Sequence, residues 1–536
     1  MDLQRLGVML DCSRNGVLTV PSVKRYIDIL NRLGYNCLML YTEDTYEIPE
    51  QPYFGYLRGR YTQKELKELD SYAREKGIEL IPCIQTLAHL NAIVRWSPYK
   101  AFKDTEDIQL AGDDRTYALI EDMFRSLSAC FTTRVVHIGM DEAQMVGLGK
   151  YLELHGFENR FEILTKHLDR VCQIGEKYGF RCIMWSDMFF RLCNNGVYTC
   201  DNPNIPGPEV TKTVPKSVGL VYWNYYSDNK ERYRGMIKAH SCFDNELWFA
   251  GGFWCWTGFA PMNYLSLRRT ALAMDVLEEN KIENAFFTVW GDDGQECSTF
   301  AVLPALYYTA QRAKGITDMA AIKSGFQQEF GIAFDDFMLL DLPDTAPVVE
   351  GKNGNPEKYM FYNDPFCGIF DCTVPEGFVP GYDACAEKLE KLAHHPAFGY
   401  LFHASAKLCR FLQTKFTLGI RTRKAYQAGD REAMAALIAD YDRLLVLLED
   451  FYQAHKARWF TDNKAFGFEV QDVRIGGLKQ RLSYCRTQLS DYLAGKLSVL
   501  EELEEEILPE FEPQARHTNW LSQITAGVPS HGYIGR

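Results

Sequence analysis

The sequence predicts an α/β fold, a closed barrel of eight parallel strands with helices between them, followed by a mainly α-helical region. Two observations favour this fold class. Eight short apolar runs alternate with amphipathic helical patterns over residues 1–315. Polar and aromatic residues follow the ends of these runs, which is where a (β/α)8, or TIM, barrel places its functional groups.

The predicted strands are continuous apolar runs without an alternating polar pattern. Runs of this kind are typical of parallel strands that are buried on both faces. An open, doubly wound sheet has strands of the same type, so it stays the alternative. In chain order the predicted strands are 7–12, 37–42, 79–85, 135–141, 182–187, 219–225, 247–252 and 285–291.

Helical patterns occupy most of the connections between these strands. "SVKRYIDILNRLG" places Val23, Tyr26, Ile27, Leu30 and Leu33 on one stripe and ends on a glycine. Similar patterns cover 62–77, 160–179, 263–281 and 305–315. The connection over 193–218 differs, because its proline, asparagine and glycine content argues against a helix.

The pattern changes after residue 315. Residues 340–382 are predicted to be largely loop, and long helical patterns then cover 384–395, 399–429, 430–459 and 476–508. We therefore predict a catalytic barrel over 1–315 and a mainly α-helical domain over 316–536.

Composition excludes several classes of function. The chain has 536 residues, enough for two domains, and a formal net charge of -13, which argues against nucleic acid or anionic membranes as partners. It has neither a transmembrane run nor a recognisable secretion signal. The 16 cysteines form no C-x-x-C pair, so we expect buried free thiols, a cytoplasmic location and no bound metal.

Aromatic and charged residues gather at the predicted strand ends. Flat aromatic faces beside carboxylates are typical of a sugar-binding pocket, because the rings cover the C–H side of a pyranose and the carboxylates accept hydrogen bonds from its hydroxyl groups. Single tryptophans often only pack in a core, but here they recur after four strands. The candidate substrate-binding residues are Arg14, His89, His137, Trp185, Trp223, Tyr225, Trp254, Trp256, Trp290 and Asp292.

Two adjacent acids, Asp141 and Glu142, end the fourth strand. Most glycosidases place two carboxyl groups on opposite sides of the scissile bond, roughly 5–5.5 Å or roughly 6.5–9.5 Å apart. Neighbouring residues cannot easily do this. They suit substrate-assisted hydrolysis, in which one acid protonates the leaving oxygen and the other orients a nucleophilic acetamide group of the substrate.

The segment "HIGMDEA" resembles the His-x-Gly-Gly-Asp-Glu motif of family 20 glycoside hydrolases, the β-N-acetylhexosaminidases. The resemblance covers roughly residues 1–315. It implies that Asp141 orients and polarises the acetamide and that Glu142 is the general acid and base. It further implies an aromatic box of Trp185, Trp223 and Trp290.

Other segments are similar to family motifs but depart from them. "TVWGDDGQE" has Asp292 at the position where the family has a glutamate that binds the outer sugar hydroxyls. "PCIQTLAH", which ends on His89, replaces the family's Pro-Glu-Ile-Asp-x-Pro-Gly-His. Met140 occupies a glycine position. Arg14 is the best-placed arginine for the substrate, and Tyr225 and Trp256 are the candidates for holding the acetamide oxygen.

His137 lies in the middle of the predicted fourth strand and has two interpretations. It either contacts the substrate or, as a core histidine, orients the acid pair. On this resemblance we expect a shorter intracellular bacterial branch of the family, without its usual N-terminal α/β domain and with a helical C-terminal domain.

These observations predict an exo-acting, retaining β-N-acetylhexosaminidase that needs no cofactor and acts on a glycan or glycoconjugate. The choice between GlcNAc and GalNAc is open, as is the oligomeric state, a homodimer included. Two other hypotheses are a catalytically inactive carbohydrate-binding or regulatory barrel and a metal-dependent barrel hydrolase. The sequence has no H-E-x-x-H pattern to support the latter.

Overall fold

The computed structural model describes residues 1–199, 206–345 and 354–508. Eight parallel strands follow one another around a closed barrel, and the circle closes where β1 pairs with β8, with Arg5 opposite Asn284. The predicted barrel is therefore confirmed, and the open sheet is wrong. The strands are β1 (Arg5–Asp11), β2 (Cys37–Glu43), β3 (Glu79–Ile84), β4 (Val135–His137), β5 (Arg181–Trp185), β6 (Gly219–Trp223), β7 (Leu247–Gly252) and β8 (Asn284–Val289).

The barrel interior is filled by large side chains from different strands. Phe286 of β8 lies 5.8 Å from the Trp185 ring, 6.3 Å from Trp248 and 6.4 Å from the His137 ring. Rings from strands that are not neighbours in the sheet can meet only inside the barrel. Burial of these apolar side chains is the main favourable contribution to the stability of the barrel.

The fourth strand is shorter than predicted. It ends at His137, whereas the apolar pattern predicted a strand to residue 141. Gly139 and Met140 adopt left-handed backbone conformations, with φ of 70° and 71°, so the extended ladder cannot continue through them.

Several of the described helices of the first 330 residues begin and end at recognisable signals. Thr62 and Glu65 form a capping box at the start of α2, and Gly34 ends α1 with φ 90°. These helices are α1 (Val20–Leu33), α2 (Gln63–Glu75), α3 (Asn91–Val94), α4 (Asp114–Cys130), α5 (Lys150–His155), α6 (Arg160–Lys177), α7 (Asp187–Arg191), α8 (Pro208–Thr211), α9 (Lys230–Ser241), α10 (Asn263–Glu279), α11 (Leu303–Ala313) and α12 (Met319–Phe330).

The irregular connection over 193–218 is only partly described, because residues 200–205 lie outside the described residues. Its described part contains turns and the four-residue helix α8, the one helical segment that the sequence pattern did not predict there. A proline at the first turn allows this helix, since its missing N–H needs no partner at that position.

The contacts divide the chain into two compact units. The first contains residues 1–253, 265–290 and 305–322, and the second contains 254–264, 291–304 and 323–536. The second unit therefore includes the segments that directly follow β7 and β8 in the chain. The division predicted after residue 315 stays a prediction.

The second unit is mainly helical, as the sequence predicts. Its core is built by α17, which packs against α16 and α19, and by α20, which packs against α19. Its helices are α13 (Phe334–Phe337), α14 (Leu342–Thr345), α15 (Pro356–Tyr362), α16 (Tyr382–Glu390), α17 (Gly399–Lys415), α18 (Leu418–Gln427), α19 (Arg431–Asp462), α20 (Phe468–Leu493) and α21 (Glu501–Glu504). No helix among the described residues is long and apolar enough to cross a membrane.

Candidate active site

The turn after β4 carries both acids of the sequence motif. Three of its residues are left-handed, with φ of 70° at Gly139, 71° at Met140 and 49° at Glu142. The turn is held from both sides. The Met140 N–H donates to Gln85 Oε1 at 3.0 Å, and the Glu142 N–H donates to Asp187 Oδ2 at 3.1 Å. These bonds fix a backbone path that the side chains of Met140 and Glu142 would otherwise disfavour.

Gly139 is expected to be irreplaceable in this turn. A Cβ atom at this position would overlap Gln85 Oε1, whereas a Cβ at Gly77, which has the same φ of 70°, would meet nothing within 4 Å. We expect Gly139→Ala to lower the free energy of unfolding by about 2–4 kcal/mol, through left-handed strain and overpacking together.

Gly77→Ala is the matched control, because it adds only the left-handed strain of about 1–2 kcal/mol. Urea unfolding followed by fluorescence measures both variants. Equal destabilisation of the two would contradict the role given to Gln85.

Asp141 is held as an anion by three neighbours. Its Oδ1 accepts a 2.7 Å hydrogen bond from Gln85 Nε2, and its Oδ2 lies 3.2 Å from His89 Nε2. Burial alone would raise the pKa of Asp141, but His89, the Gln85 amide and Arg14 outweigh burial and hold the pKa below its ordinary value. Gln85 itself is fixed, since the same Nε2 also donates to the Tyr41 hydroxyl at 2.8 Å.

His89 is the positive partner of the acid pair. Its Nε2 contacts Asp141 at 3.2 Å and lies 3.7 Å from Glu142 Oε2, so one imidazole reaches both acids. Burial favours the neutral ring, but the charge of Asp141, helped by Glu142, raises the pKa of His89 to about 9 in spite of nearby Arg14. His89 is therefore protonated at neutral pH.

The His89 contact predicts a pH-dependent contribution to stability. Because the pKa of the folded state, about 9, lies above the ordinary 6.5, this contribution is complete below pH 6.5 and disappears as the pH rises through about 9. We expect His89→Gln to lower the melting temperature most below pH 6.5 and scarcely above pH 9. A melting-temperature difference between wild type and variant that is the same at pH 6 and pH 10 would contradict the assignment.

Glu142 is the more accessible of the two acids. Its side chain is 32% exposed, against 13% for Asp141. Its Oε1 lies 3.6 Å from Arg191, whose Nε donates to Asp187 Oδ2 at 2.9 Å. Burial, reinforced by Asp141, raises the pKa of Asp187 to about 7. Of the two adjacent acids, Glu142 is therefore the one that faces solvent more and Asp141 the one that is more buried.

Four aromatic rings pack on one another at the carboxyl ends of β5, β6 and β8. Trp185 lies 6.1 Å from Trp290, and Tyr225 lies 6.5 Å from the same ring. Trp223 stacks on Tyr225 at 5.2 Å with an interplanar angle of 22°. The structure thus brings together four of the predicted sugar-binding aromatics in the first unit.

Arg14 packs on two aromatic rings of the site. Its guanidinium carbon is 4.9 Å from the Trp290 ring centre and 4.7 Å from that of Tyr41. Asp11 Oδ2, at 3.4 Å, and Glu43 Oε1, at 3.6 Å, compensate its charge. The guanidinium is thus packed on the Trp290 ring as a cation–π contact.

His137 is fully buried under this arrangement. Its Nδ1 accepts the Gly139 N–H at 3.1 Å, and its ring lies 4.5 Å from Trp185. Burial lowers the pKa of His137 to about 3, so the ring is neutral. These contacts favour the orienting interpretation of His137 over direct contact with substrate.

Three predicted residues belong to the second unit. Trp254 and Trp256 stack on each other at 4.5 Å with an angle of 28°, and both are almost fully buried. Asp292 lies in a short 3₁₀ turn of residues 292–294. All three follow β7 or β8 within four residues, and their role in binding substrate stays a prediction.

The sequence interpretation missed two residues that hold the acids. Gln85 was visible only as a departure in "PCIQTLAH", at the position of the family's aspartate. The contact between Arg191 and Asp187 could have been predicted, because the two residues are one helical turn apart in the chain. Among the described residues, no group of three or more His, Cys, Asp and Glu side chains could hold a metal ion.

Two family models match this chain, and both describe domains of one family of glycoside hydrolases. The family model described as the glycosyl hydrolase family 20 catalytic domain matches residues 5–232, and that of the glycoside hydrolase 20C C-terminal domain matches 335–521. A solved structure of a family 20 exo β-N-acetylglucosaminidase from Vibrio harveyi is 17% identical, with a TM-score of 0.47, over 63% of this chain and 58% of that one.

Two curated relatives agree with the family models. A probable beta-hexosaminidase of Arthroderma benhamiae is 24% identical over 42% of this chain and 39% of its own length. Beta-hexosaminidase 3 of Arabidopsis thaliana is 26% identical over 35% of this chain and 37% of its own length. The matched segments thus span less than half of either relative. With a catalytic-domain and a C-terminal-domain match of the same family on one chain, the protein belongs to glycoside hydrolase family 20.

Proposed function

We propose that this protein is an exo-acting β-N-acetylhexosaminidase that removes terminal, non-reducing β-linked GlcNAc or GalNAc with retention of configuration. One observation carries the proposal. The adjacent carboxylates of Asp141 and Glu142 both approach His89 Nε2, at 3.2 and 3.7 Å, so they face one space instead of opposite sides of a strand. This geometry suits an acid pair that acts on one sugar residue.

Asp141 would orient the substrate's 2-acetamido group. A carboxylate kept ionised by Gln85 and His89 accepts the acetamide N–H and so increases the nucleophilicity of its carbonyl oxygen. That oxygen attacks C1 and the bond from C1 to the leaving oxygen breaks. The positive charge of the resulting oxazolinium ion is then balanced by the negative charge of Asp141.

Glu142 would transfer the protons. In the first step its carboxyl proton moves to the leaving oxygen as the glycosidic bond breaks. In the second step its carboxylate removes a proton from water while the water oxygen bonds to C1 and the oxazolinium ring opens. Two displacements at C1 give overall retention, and the proton returns to Glu142.

The sugar ring would lie among the aromatic side chains of the first unit. Trp185 and Trp290 supply apolar faces, and the Tyr225 hydroxyl group is our candidate for holding the acetamide oxygen. Arg14, over the Trp290 ring, would bind outer hydroxyl groups. We propose a supporting sugar contact from Trp223, and the substrate-binding roles of Trp254, Trp256 and Asp292 stay predictions. The homodimer and the cytoplasmic location stay predictions.

The test is hydrolysis of p-nitrophenyl β-GlcNAc and β-GalNAc, with the product anomer followed by proton NMR. We expect the β-anomer first and strong inhibition by a GlcNAc-thiazoline that mimics the oxazolinium ion. Turnover with initial α-product, or without thiazoline inhibition, would exclude substrate assistance. An inactive carbohydrate-binding barrel would bind the sugar without turnover, and a metal-dependent hydrolase would lose activity in EDTA.

A further inference from the structure

Three aromatic side chains form an exposed cluster in the first unit. Tyr53 and Tyr56 are 42% and 45% exposed. The Trp96 ring, which is partly exposed, lies 5.6 Å from that of Tyr53 and 5.5 Å from that of Tyr56. We name Tyr53, Tyr56 and Trp96 the aromatic platform. Exposed large aromatics that touch one another are uncommon on a protein surface without a ligand or partner.

The platform is built on a firmly held loop. Between the two tyrosines, Gly55 has φ 65°, and a Cβ there would overlap the Asp44 carbonyl oxygen, so the loop lies directly on the backbone of Asp44. Gln51 donates to Asp122 at 2.8 Å and accepts from the Tyr99 hydroxyl at 3.1 Å. Aromatic faces held in this way lose little conformational entropy when a ligand stacks on them.

The platform lies at the catalytic end of the barrel. Residues 44–62 follow the carboxyl end of β2, and residues 85–113 follow that of β3. Asp44 comes directly after Glu43, which contacts Arg14 at 3.6 Å. Trp96 is joined to the acid pair through the loop after β3. This loop runs from His89 through α3 to Trp96, whose N–H donates to Ile93 O at 3.0 Å. Only six residues separate His89 from Trp96, and four of them form α3.

We propose that the aromatic platform binds the sugar residues on the leaving-group side of the scissile bond. The inference rests on the proposed function. A terminal residue held in the pocket is joined to the rest of its glycan only through C1, so all further sugars lie on the leaving-group side, next to Glu142 and His89. The rings cover the C–H faces of those sugars. Arg95, whose guanidinium carbon lies 5.0 Å from the Trp96 ring centre, offers donors to their hydroxyl groups.

The substrate comparison uses Tyr53→Ala, Tyr56→Ala and Trp96→Ala, with p-nitrophenyl β-GlcNAc and a β-1,4-linked GlcNAc trisaccharide. We expect the ratio of kcat/KM for the trisaccharide to kcat/KM for the aryl glycoside to fall at least tenfold in Trp96→Ala and less in each tyrosine variant. Tyr484→Ala, on α20 of the second unit and 43% exposed, is the matched control and should keep the wild-type ratio. An unchanged ratio in all three platform variants, or an equal loss on both substrates, would overturn the proposal.

A binding experiment separates this proposal from the proposed function. Calorimetry with the trisaccharide is performed on Glu142→Gln and on Glu142→Gln combined with Trp96→Ala. We expect the second substitution to weaken the Kd at least tenfold, whether or not the wild-type protein turns the trisaccharide over. If Trp96→Ala weakens binding but the wild-type protein hydrolyses neither substrate, the proposed hexosaminidase activity is refuted and the sugar-binding role of the aromatic platform stands. If the two variants bind the trisaccharide with equal affinity, the sugar-binding role of the platform is refuted.

Discussion

Glu142→Gln is expected to lower kcat for a GlcNAc-terminated oligosaccharide by about 10³–10⁴-fold. Glutamine keeps the size of the side chain but can neither donate the proton that the sugar leaving group needs nor remove one from water. The backbone turn should survive, because its hydrogen bond to Asp187 uses the N–H of residue 142. The measurement is steady-state hydrolysis, with melting temperature as a check of folding.

The size of this loss should depend on the leaving group of the substrate. Nitrophenolate leaves without much help from an acid, so the loss on p-nitrophenyl β-GlcNAc should be smaller than the loss on the oligosaccharide. Glu153→Gln, at an exposed glutamate on α5 that has no role in the proposed mechanism, is the control and should keep wild-type rates. Near-wild-type kcat of Glu142→Gln on the oligosaccharide would show that another group is the acid.

Asp141→Asn is expected to lower kcat by about 10²–10³-fold on both the aryl glycoside and the oligosaccharide. The neutral amide can still accept the Gln85 hydrogen bond but no longer balances the charge of an oxazolinium ion. The loss should not depend on the leaving group, because Asp141 acts on the acetamide. That independence distinguishes this variant from Glu142→Gln.

Inhibitor affinity gives a second readout for Asp141. GlcNAc-thiazoline presents the fused ring of the intermediate and should bind the Asp141→Asn variant at least tenfold more weakly than wild type, while Glu142→Gln binds it with nearly wild-type affinity. Asp244→Asn makes the same substitution at an exposed aspartate just before β7 and is the matched control. Equal thiazoline affinity in wild type and Asp141→Asn would contradict an orienting role for Asp141.

The fold was predictable because its signals are local. Each barrel strand is a continuous apolar run, and helices such as α1 and α2 carry their caps within a few residues. The end of β4 was not predictable from apolarity, since the run continues while the backbone turns left-handed. Met140 illustrates the limit. It is fully buried at φ 71°, where the family has glycine, and nothing in its local sequence indicates that geometry.

The two acids of the site could be predicted from the sequence, but the residues that hold them in place were harder to predict. Asp141 and Glu142 carry a motif, but the residues that hold them are far away in the chain. Gln85 reaches Asp141 across 56 positions, and Asp187 reaches Glu142 across 45. Such contacts depend on how strands are arranged around the barrel, which periodicity does not specify. The platform was missed for the same reason, since its rings come from two different loops.

The segments that follow β7 and β8 belong to the second unit. This affects the order in which the parts of the chain can fold during synthesis. The Phe259 N–H donates to Glu357 at 3.0 Å, Ser298 donates to Asp462 at 2.6 Å, and Arg474 donates to Glu296 at 2.9 Å. A ribosome delivers the last barrel strand almost 200 residues before Arg474. The nascent chain can therefore pair all its strands early, but these two segments must wait until the helices emerge before they can reach their native contacts.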